Sequence, residues 1–319
     1  MSSPWIANLR SVALNVPDLA KAVSFYTDVW RLQIVSRDHG AVYLRGSGPD
    51  HHLLALHGGS AQAQIRHVTL RVRSVDALAL ISQACVQAGG AVVSAAAPSP
   101  DPAGGQALVI RDQDGRLFQI VHDDAQHPEQ SKEPNYVQGS AADSRQNISP
   151  VELNDRPIRL AHTVLNSHDV ARTQPFFEQA LGFRLIDRTA IMAFLNCNDD
   201  HHSIALGISD NNALNHIAFL MPSVDAVMRG GGRMRDAGHP IEWGPGRHGP
   251  GNNAFNYFID PFGVVIEYTA EVEQVDEHYP VRTVAQWKWP AGRVDQWGIS
   301  APPSASLKQA QRQVHFVST

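Results

Sequence analysis

His162, His216 and Glu267 are the residues whose types and spacing suggest chemistry, at intervals of 54 and 51 residues. Two neutral imidazoles and one carboxylate can grip a divalent metal from one side. The opposite coordination positions then stay open, which suits non-haem Fe(II) working with O2. Each residue alone has an ordinary alternative, a core histidine or a glutamate at a strand end. The chain carries 16 His in 319 residues, a density that invites a metal or acid–base reading.

These residues must be delivered by strands. His162 falls in an apolar alternating run at 159–165, His216 opens one at 216–221, and Glu267 sits in one at 264–268. The runs belong to an internal repeat. Asn15 and Asp18 recur as Asn166 and Asp169, and Asp50-His51-His52 recurs as Asp200-His201-His202. The segment from Ile65 to Ala77 resembles that from Leu214 to Ala226, and Gly115 matches Gly263. Four ordered matches at a nearly constant offset imply two similar domains of about 120 residues.

A finer unit lies inside each half. A strand runs into a Pro-Asp, Ser-Val-Asp or His-Asp turn whose Asp or Ser can cap a helix, and three short strands follow. The expected fold is α+β, with two β-α-β-β-β modules per domain and curved sheets around a metal-binding cavity. Residues 1–125 form the first domain, 126–155 a polar linker, 156–272 the second domain and 273–319 a C-terminal extension. The extension should be folded to about Ser300 and end as a polar, mobile tail. In the first domain Ser11, His67 and Gln119 stand where the second has His162, His216 and Glu267. Serine and glutamine are poor Fe(II) ligands, so no metal is expected there, and the His51-His52 pair reads as a relic or a surface pair.

Composition excludes several classes. With 26 Lys+Arg against 31 Asp+Glu, no basic excess exists to bind nucleic acid. No apolar run reaches the length of a membrane span, and the first residues lack a signal-peptide layout. Two cysteines, Cys85 and Cys197, rule out a disulfide framework and fit a reducing cytoplasm.

Arg247-His-Gly-Pro-Gly, followed by Phe255-Asn-Tyr-Phe-Ile-Asp-Pro-Phe-Gly-Val-Val-Ile-Glu-Tyr268, resembles the signature of type I extradiol ring-cleavage dioxygenases, in the vicinal oxygen chelate superfamily. The resemblance covers roughly residues 5–295 and is most specific from His162 to Tyr268. That family spaces a histidine nine residues before a tyrosine and the tyrosine ten before the glutamate ligand; His248, Tyr257 and Glu267 match. It implies His162, His216 and Glu267 as ligands of Fe(II), with Mn(II) the alternative. It implies His202, His248 and Tyr257 as catalytic residues, with His202 the acid–base group beside the O2 position. The spacing from His202 to His216 is one short of the family's, so His201 stays a reserve candidate. Arg31 stands where the family has a helix-ending glycine, as Gly182 does in the second domain.

The implied reaction opens a substituted catechol beside its diol, with O2 as co-substrate, in a cytoplasmic homo-oligomer of four or more chains. A glyoxalase of the same superfamily would use two glutamates, and Gln119 denies it the second. A small drug-sequestering relative would lack the triad. Phe194, Met192, Phe255, Trp243, Trp287 and Trp289 are candidate pocket walls, each with plain core as its alternative. Substrate identity is not encoded in any motif.

Overall fold

Four strand–helix–three-strand modules follow one another in the computed structural model, which describes residues 3–130 and 155–318. The first half contains β1 (Ile6–Asn15), α1 (Leu19–Ser24), β2 (Gln33–Asp38), β3 (Ala41–Arg45) and β4 (Leu54–His57). It continues with β5 (Gln64–Val72), α2 (Asp76–Gln87), β6 (Ala91–Pro98), β7 (Gln106–Arg111) and β8 (Leu117–His122). The second half repeats the order with β9 (Arg159–Ser167), α3 (Val170–Leu181), β10 (Arg184–Arg188), β11 (Met192–Asn196) and β12 (Ile204–Ile208). Then come β13 (Leu214–Leu220), α4 (Val224–Asp236), β14 (Trp243–Arg247), β15 (Ala254–Ile259) and β16 (Val265–Ala270).

The capping residues act where expected in three of the four helices. Asp18, Asp169 and Ser223 accept from the backbone N–H groups of Lys21, Arg172 and Ala226, each three residues on. Helix α2 starts after Val75 with no side-chain cap.

The sheets run β2-β3-β4-β1-β5-β8-β7-β6 and β10-β11-β12-β9-β13-β16-β15-β14, the same order twice. In the second sheet β9 lies parallel to β12 and antiparallel to β13, and β13 lies parallel to β16. Strand alternation sends Leu165, Ile217, Phe219, Ile266 and Tyr268 into the core beneath the helices. It turns His216, Ala218 and Glu267 to the opposite face, where β9 also delivers His162. One apolar core is continuous through both halves. At its middle Trp30 stacks on Tyr268 with ring centroids 3.6 Å apart, and the Tyr268 hydroxyl donates to the Trp30 carbonyl at 2.8 Å.

Most of the expected linker, residues 131–154, lies outside the described residues. The end of the extension differs from expectation. It is ordered: α5 (Ala305–Ala310) packs on the second sheet, and β17 (His315–Phe316) pairs with β5 of the first. Leu307, Ala310 and Val314 are buried, and these three anchors outweigh the polar residues around them.

Candidate metal centre

Three neighbouring central strands bring His162, His216 and Glu267 together. His162 faces Ala218 across β9 and β13, and Ala218 faces Glu267 across β13 and β16. The small alanine leaves a gap in this row, and His216, two residues along β13, leans over it. Nε2 of His162 lies 3.1 Å from Glu267 Oε2 and 3.3 Å from His216 Nε2, and His216 Nε2 lies 3.2 Å from the same carboxylate oxygen. All three side chains are buried. Burial alone would raise the Glu267 carboxyl, but the two imidazoles outweigh it and hold it well below the usual carboxylate range.

The donor set fits a divalent metal. Three atoms on one face of an octahedron with bonds of about 2.1 Å lie roughly 3.0 Å apart, close to the spacing found. His216 Nδ1 lies 2.8 Å from Asn215 Oδ1, which fixes the proton on Nδ1 and turns the Nε2 lone pair to the cluster. Asn253 Nδ2 donates to Thr269 Oγ1 at 2.7 Å and reaches Glu267 Oε1 at 3.4 Å. His162 Nδ1 is buried without a partner among the described residues.

His202, His248 and Tyr257 surround this cluster. His248 Nε2 lies 3.0 Å from the Tyr257 hydroxyl, which lies 3.5 Å from His216 Nε2. Burial pushes His248 down to about 4 and Tyr257 well above its ordinary value, so one is neutral and the other a phenol at neutral pH. Phe255 stacks on His248 and Trp243 on Tyr257, with centroids 4.0 and 5.0 Å apart. The ring of His202 lies 4.2 Å from that of His162, with Phe194 edge-on at 5.1 Å. Burial, then the nearby histidines, lowers His202 well below its ordinary value. Gly251, at φ 82°, closes the 248–253 loop over this ring; a Cβ there would sit 3.1 Å from His202 Cε1. His201 turns away, with Nε2 2.9 Å from Asp187 Oδ2. Outside the loop an open cleft of about 600 Å³ is lined by Gly249, Asn252, Arg282, Trp287 and Trp289, and none of the triad borders it.

In the first half, Ser11, His67 and Gln119 occupy the matching strands, and no metal-binding cluster is found there among the described residues. The His51-His52 pair is buried, at 7% and 1% exposure, so the expectation of a surface pair is corrected. Inside the pocket His52 lies against the Arg10 guanidinium, which also donates to Ser11 Oγ, and His51 lies against His52 and His127. Sequence reasoning also missed Asp187, Asn215 and Asn253. Asn215 has a signal in the chain: it directly precedes a ligand candidate, and its amide bonds Asn166, a residue of the internal repeat.

The sequence pattern of the Glyoxalase/Bleomycin resistance protein/Dioxygenase superfamily matches residues 8–120 and 159–268. The chain belongs to this superfamily. Among its relatives within the superfamily is metapyrocatechase 2 of Cupriavidus necator, 33% identical over 60% of this chain and 60% of that protein. The manganese-dependent 2,3-dihydroxybiphenyl 1,2-dioxygenase of Geobacillus genomosp. 3 is 25% identical over 80% of this chain and 82% of its own length. The Mn(II)-bound glyoxalase from Novosphingobium aromaticivorans superposes with a TM-score of 0.80 at 31% identity, covering 96% of this chain and 94% of that one.

Proposed function

We propose that this superfamily member is an extradiol dioxygenase that cleaves a substituted catechol beside its vicinal diol, inserting both atoms of O2. The observation that carries the reading is a face of three clustered donor groups, with His202 on one side and the His248–Tyr257 pair on the other. His162, His216 and Glu267 would hold Fe(II), or Mn(II) as in the dihydroxybiphenyl dioxygenase relative. When bound, the ion supplies open positions for a diol and O2 and the electron transfer between them.

The chain's own groups supply the proton traffic. A catechol must lose a proton as it binds. Neutral His202 can accept that proton on its ring and return it as the ring opens. The Tyr257 phenol donates to a substrate oxygen, and His248 Nε2, 3.0 Å away, orients that phenol. Phe194, Trp243 and Phe255 fix these three rings and keep water from them. The same reading makes the protein a cytoplasmic homo-oligomer, in keeping with two buried, unbridged thiols, Cys85 and Cys197.

The likeness to a glyoxalase favours a second reading, isomerisation at the same metal without O2. One set of assays separates them. Protein loaded anaerobically with Fe(II) or Mn(II) should turn a panel of substituted catechols into yellow ring-opened products, with one O2 consumed per product. No product from any catechol, with turnover of a glutathione–methylglyoxal adduct instead, would favour the isomerase. His216→Ala should abolish metal retention, and full metal content in that variant overturns the ligand set.

A further inference from the structure

Behind His202 lies a buried acid–imidazole chain that the proton traffic above leaves unexplained. Asp187, on β10, is fully buried. Its Oδ2 lies 2.9 Å from His201 Nε2, and His201 Nδ1 lies 3.0 Å from His202 Nδ1. The C-terminal extension grips the carboxylate from the other side. The Arg282 N–H donates to Asp187 Oδ1 at 2.9 Å, and the Tyr279 hydroxyl donates to Oδ2 at 3.3 Å. Arg282 in turn donates to the Tyr279 oxygen at 2.7 Å. Burial and the carboxylates of Asp187 and Glu273 push the Tyr279 phenol up, so it remains a donor.

Donor and acceptor roles along this chain run one way. A carboxylate only accepts. His201 therefore presents Nε2–H to Asp187, and with that single proton on the ring its Nδ1 carries only a lone pair. His202 must donate to that lone pair from its own Nδ1, which leaves its Nε2 unprotonated. Among the described residues nothing bonds His202 Nε2, although the side chain is only 3% exposed. The first half supplies a contrast. His51 and His52 repeat the Nδ1–Nδ1 contact at 3.0 Å, but Ser36 stands at the register position of Asp187.

We propose that Asp187 and His201 are positioning residues that hold His202 in its Nδ1–H tautomer, with Nε2 kept as the base that takes the substrate's hydroxyl proton. The identity of that proton rests on the ring-cleavage reading; the tautomer does not.

Full-length protein labelled with ¹⁵N-histidine, metal-free and loaded with diamagnetic Zn(II), tests the tautomer by long-range ¹H–¹⁵N correlation. His202 should show Nδ1–H and His201 Nε2–H. An Nε2–H on His202 overturns the proposal, whatever the protein does with catechols. Asp187→Asn should release the single tautomer of His202, because the amide can donate to His201 Nε2 as well as accept from it. In the metal-loaded variant kcat on a catechol turned over by the wild type should fall about 10- to 100-fold, with KM and metal content little changed. An unchanged tautomer and kcat in Asp187→Asn overturn it too. If the variant does not fold, the wild-type spectrum still decides. If the wild type opens no catechol while His202 shows Nδ1–H, the ring-cleavage reading fails and the positioning role stands.

Discussion

Across β9, β13 and β16 the second sheet presents the row His162, Ala218, Glu267; across β1, β5 and β8 the first presents Ser11, Thr69, Gln119. In the second row a small residue leaves room between two candidate ligands. In the first, Thr69 Oγ1 fills the gap and donates to Gln119 Oε1 at 3.1 Å. One position before each row stands Ala161 in the second half and Arg10 in the first. Arg10 is fully buried, with its guanidinium 2.8 Å from Ser11 Oγ, 3.1 Å from Asp124 and 3.2 Å from Asp101. One half thus lines its buried pocket with three groups that could hold a metal, while the other fills it with a cation of its own chain. A polar pocket at the centre of such a sheet must be neutralised and hydrogen-bonded by something, because a bare buried charge costs several kcal/mol.

The largest effect should come from emptying the first pocket. Arg10→Ala leaves Asp101, Asp124 and His52 facing a void, although Arg71 still holds Asp124 at 2.6 Å. Breaking a buried pair of this kind costs about 3–5 kcal/mol. Urea unfolding of the metal-loaded protein should show that loss, while metal content stays at the wild-type level. A loss below about 1 kcal/mol would mean that the guanidinium is no plug. A fall in metal content would mean that the halves are not independent in this respect.

The halves also show which physics is legible in a chain. Period-two strands, capping Asp and Ser, and repeated Asn-Asp and His-His pairs are local patterns, so the module order and the strands bearing the triad could be read directly. The ligand candidates stood out because Ser11 and Gln119 occupy their places in the other copy. Arg10 was invisible for a geometric reason. Strict alternation puts neighbours on opposite faces, but a register shift between Leu9 and Ser11 turns both Arg10 and Ser11 into one pocket. A shift between Leu185 and Asp187 likewise upsets the alternation of β10 at Asp187, which closes on His201. The ordered end of the extension rests on Leu307, Ala310 and Val314, too few apolar residues to set a period.

The hairpins that deliver Gln119 and Glu267 sharpen the comparison at a smaller scale. Asp112 and Asp260 occupy the same turn position, each accepting from the backbone N–H groups two and four residues on. Burial raises both carboxyls, and Arg116 at 2.6 Å offsets only part of the effect at Asp112. Asp260 faces the Tyr26 hydroxyl at 2.9 Å and is raised to about 6. Its unfolded value is about 3.9, so between those values the folded chain keeps a proton that the unfolded chain releases. Stability from this group is therefore lost as pH rises from about 4 to 6 and is flat above, a total of about 3 kcal/mol. Asp260→Asn keeps the turn and the tyrosine contact without the titration. The stability difference between variant and wild type should widen in the variant's favour over that pH range; parallel curves would place the pH response elsewhere.

The smallest effect concerns how each half ends its first helix. Gly182 takes φ 68° after α3, and the Phe183 N–H closes on the Phe177 carbonyl at 3.1 Å. In the first half a π-helical turn, Phe25–Val29, carries α1 on toward Arg31, which takes φ 71°, and the Leu32 N–H closes on the Tyr26 carbonyl at 2.8 Å. The two closures are the same, but a left-handed non-glycine residue costs roughly 1–2 kcal/mol. Glycine loses about 0.5–1 kcal/mol more backbone entropy on folding. The strain outweighs the entropy, so Arg31→Gly should stabilise the protein by about 0.5–1 kcal/mol in urea unfolding. The reciprocal change should not be mild. A Cβ at Gly182 would lie 3.0 Å from both Pro4 Cδ and Ser3 Oγ, so Gly182→Ala adds crowding to strain. Equal and opposite shifts for the two variants would mean that backbone conformation alone sets the cost. A larger loss at Gly182 assigns the excess to the N-terminal segment packed against it, a contact the exposed Arg31 position lacks.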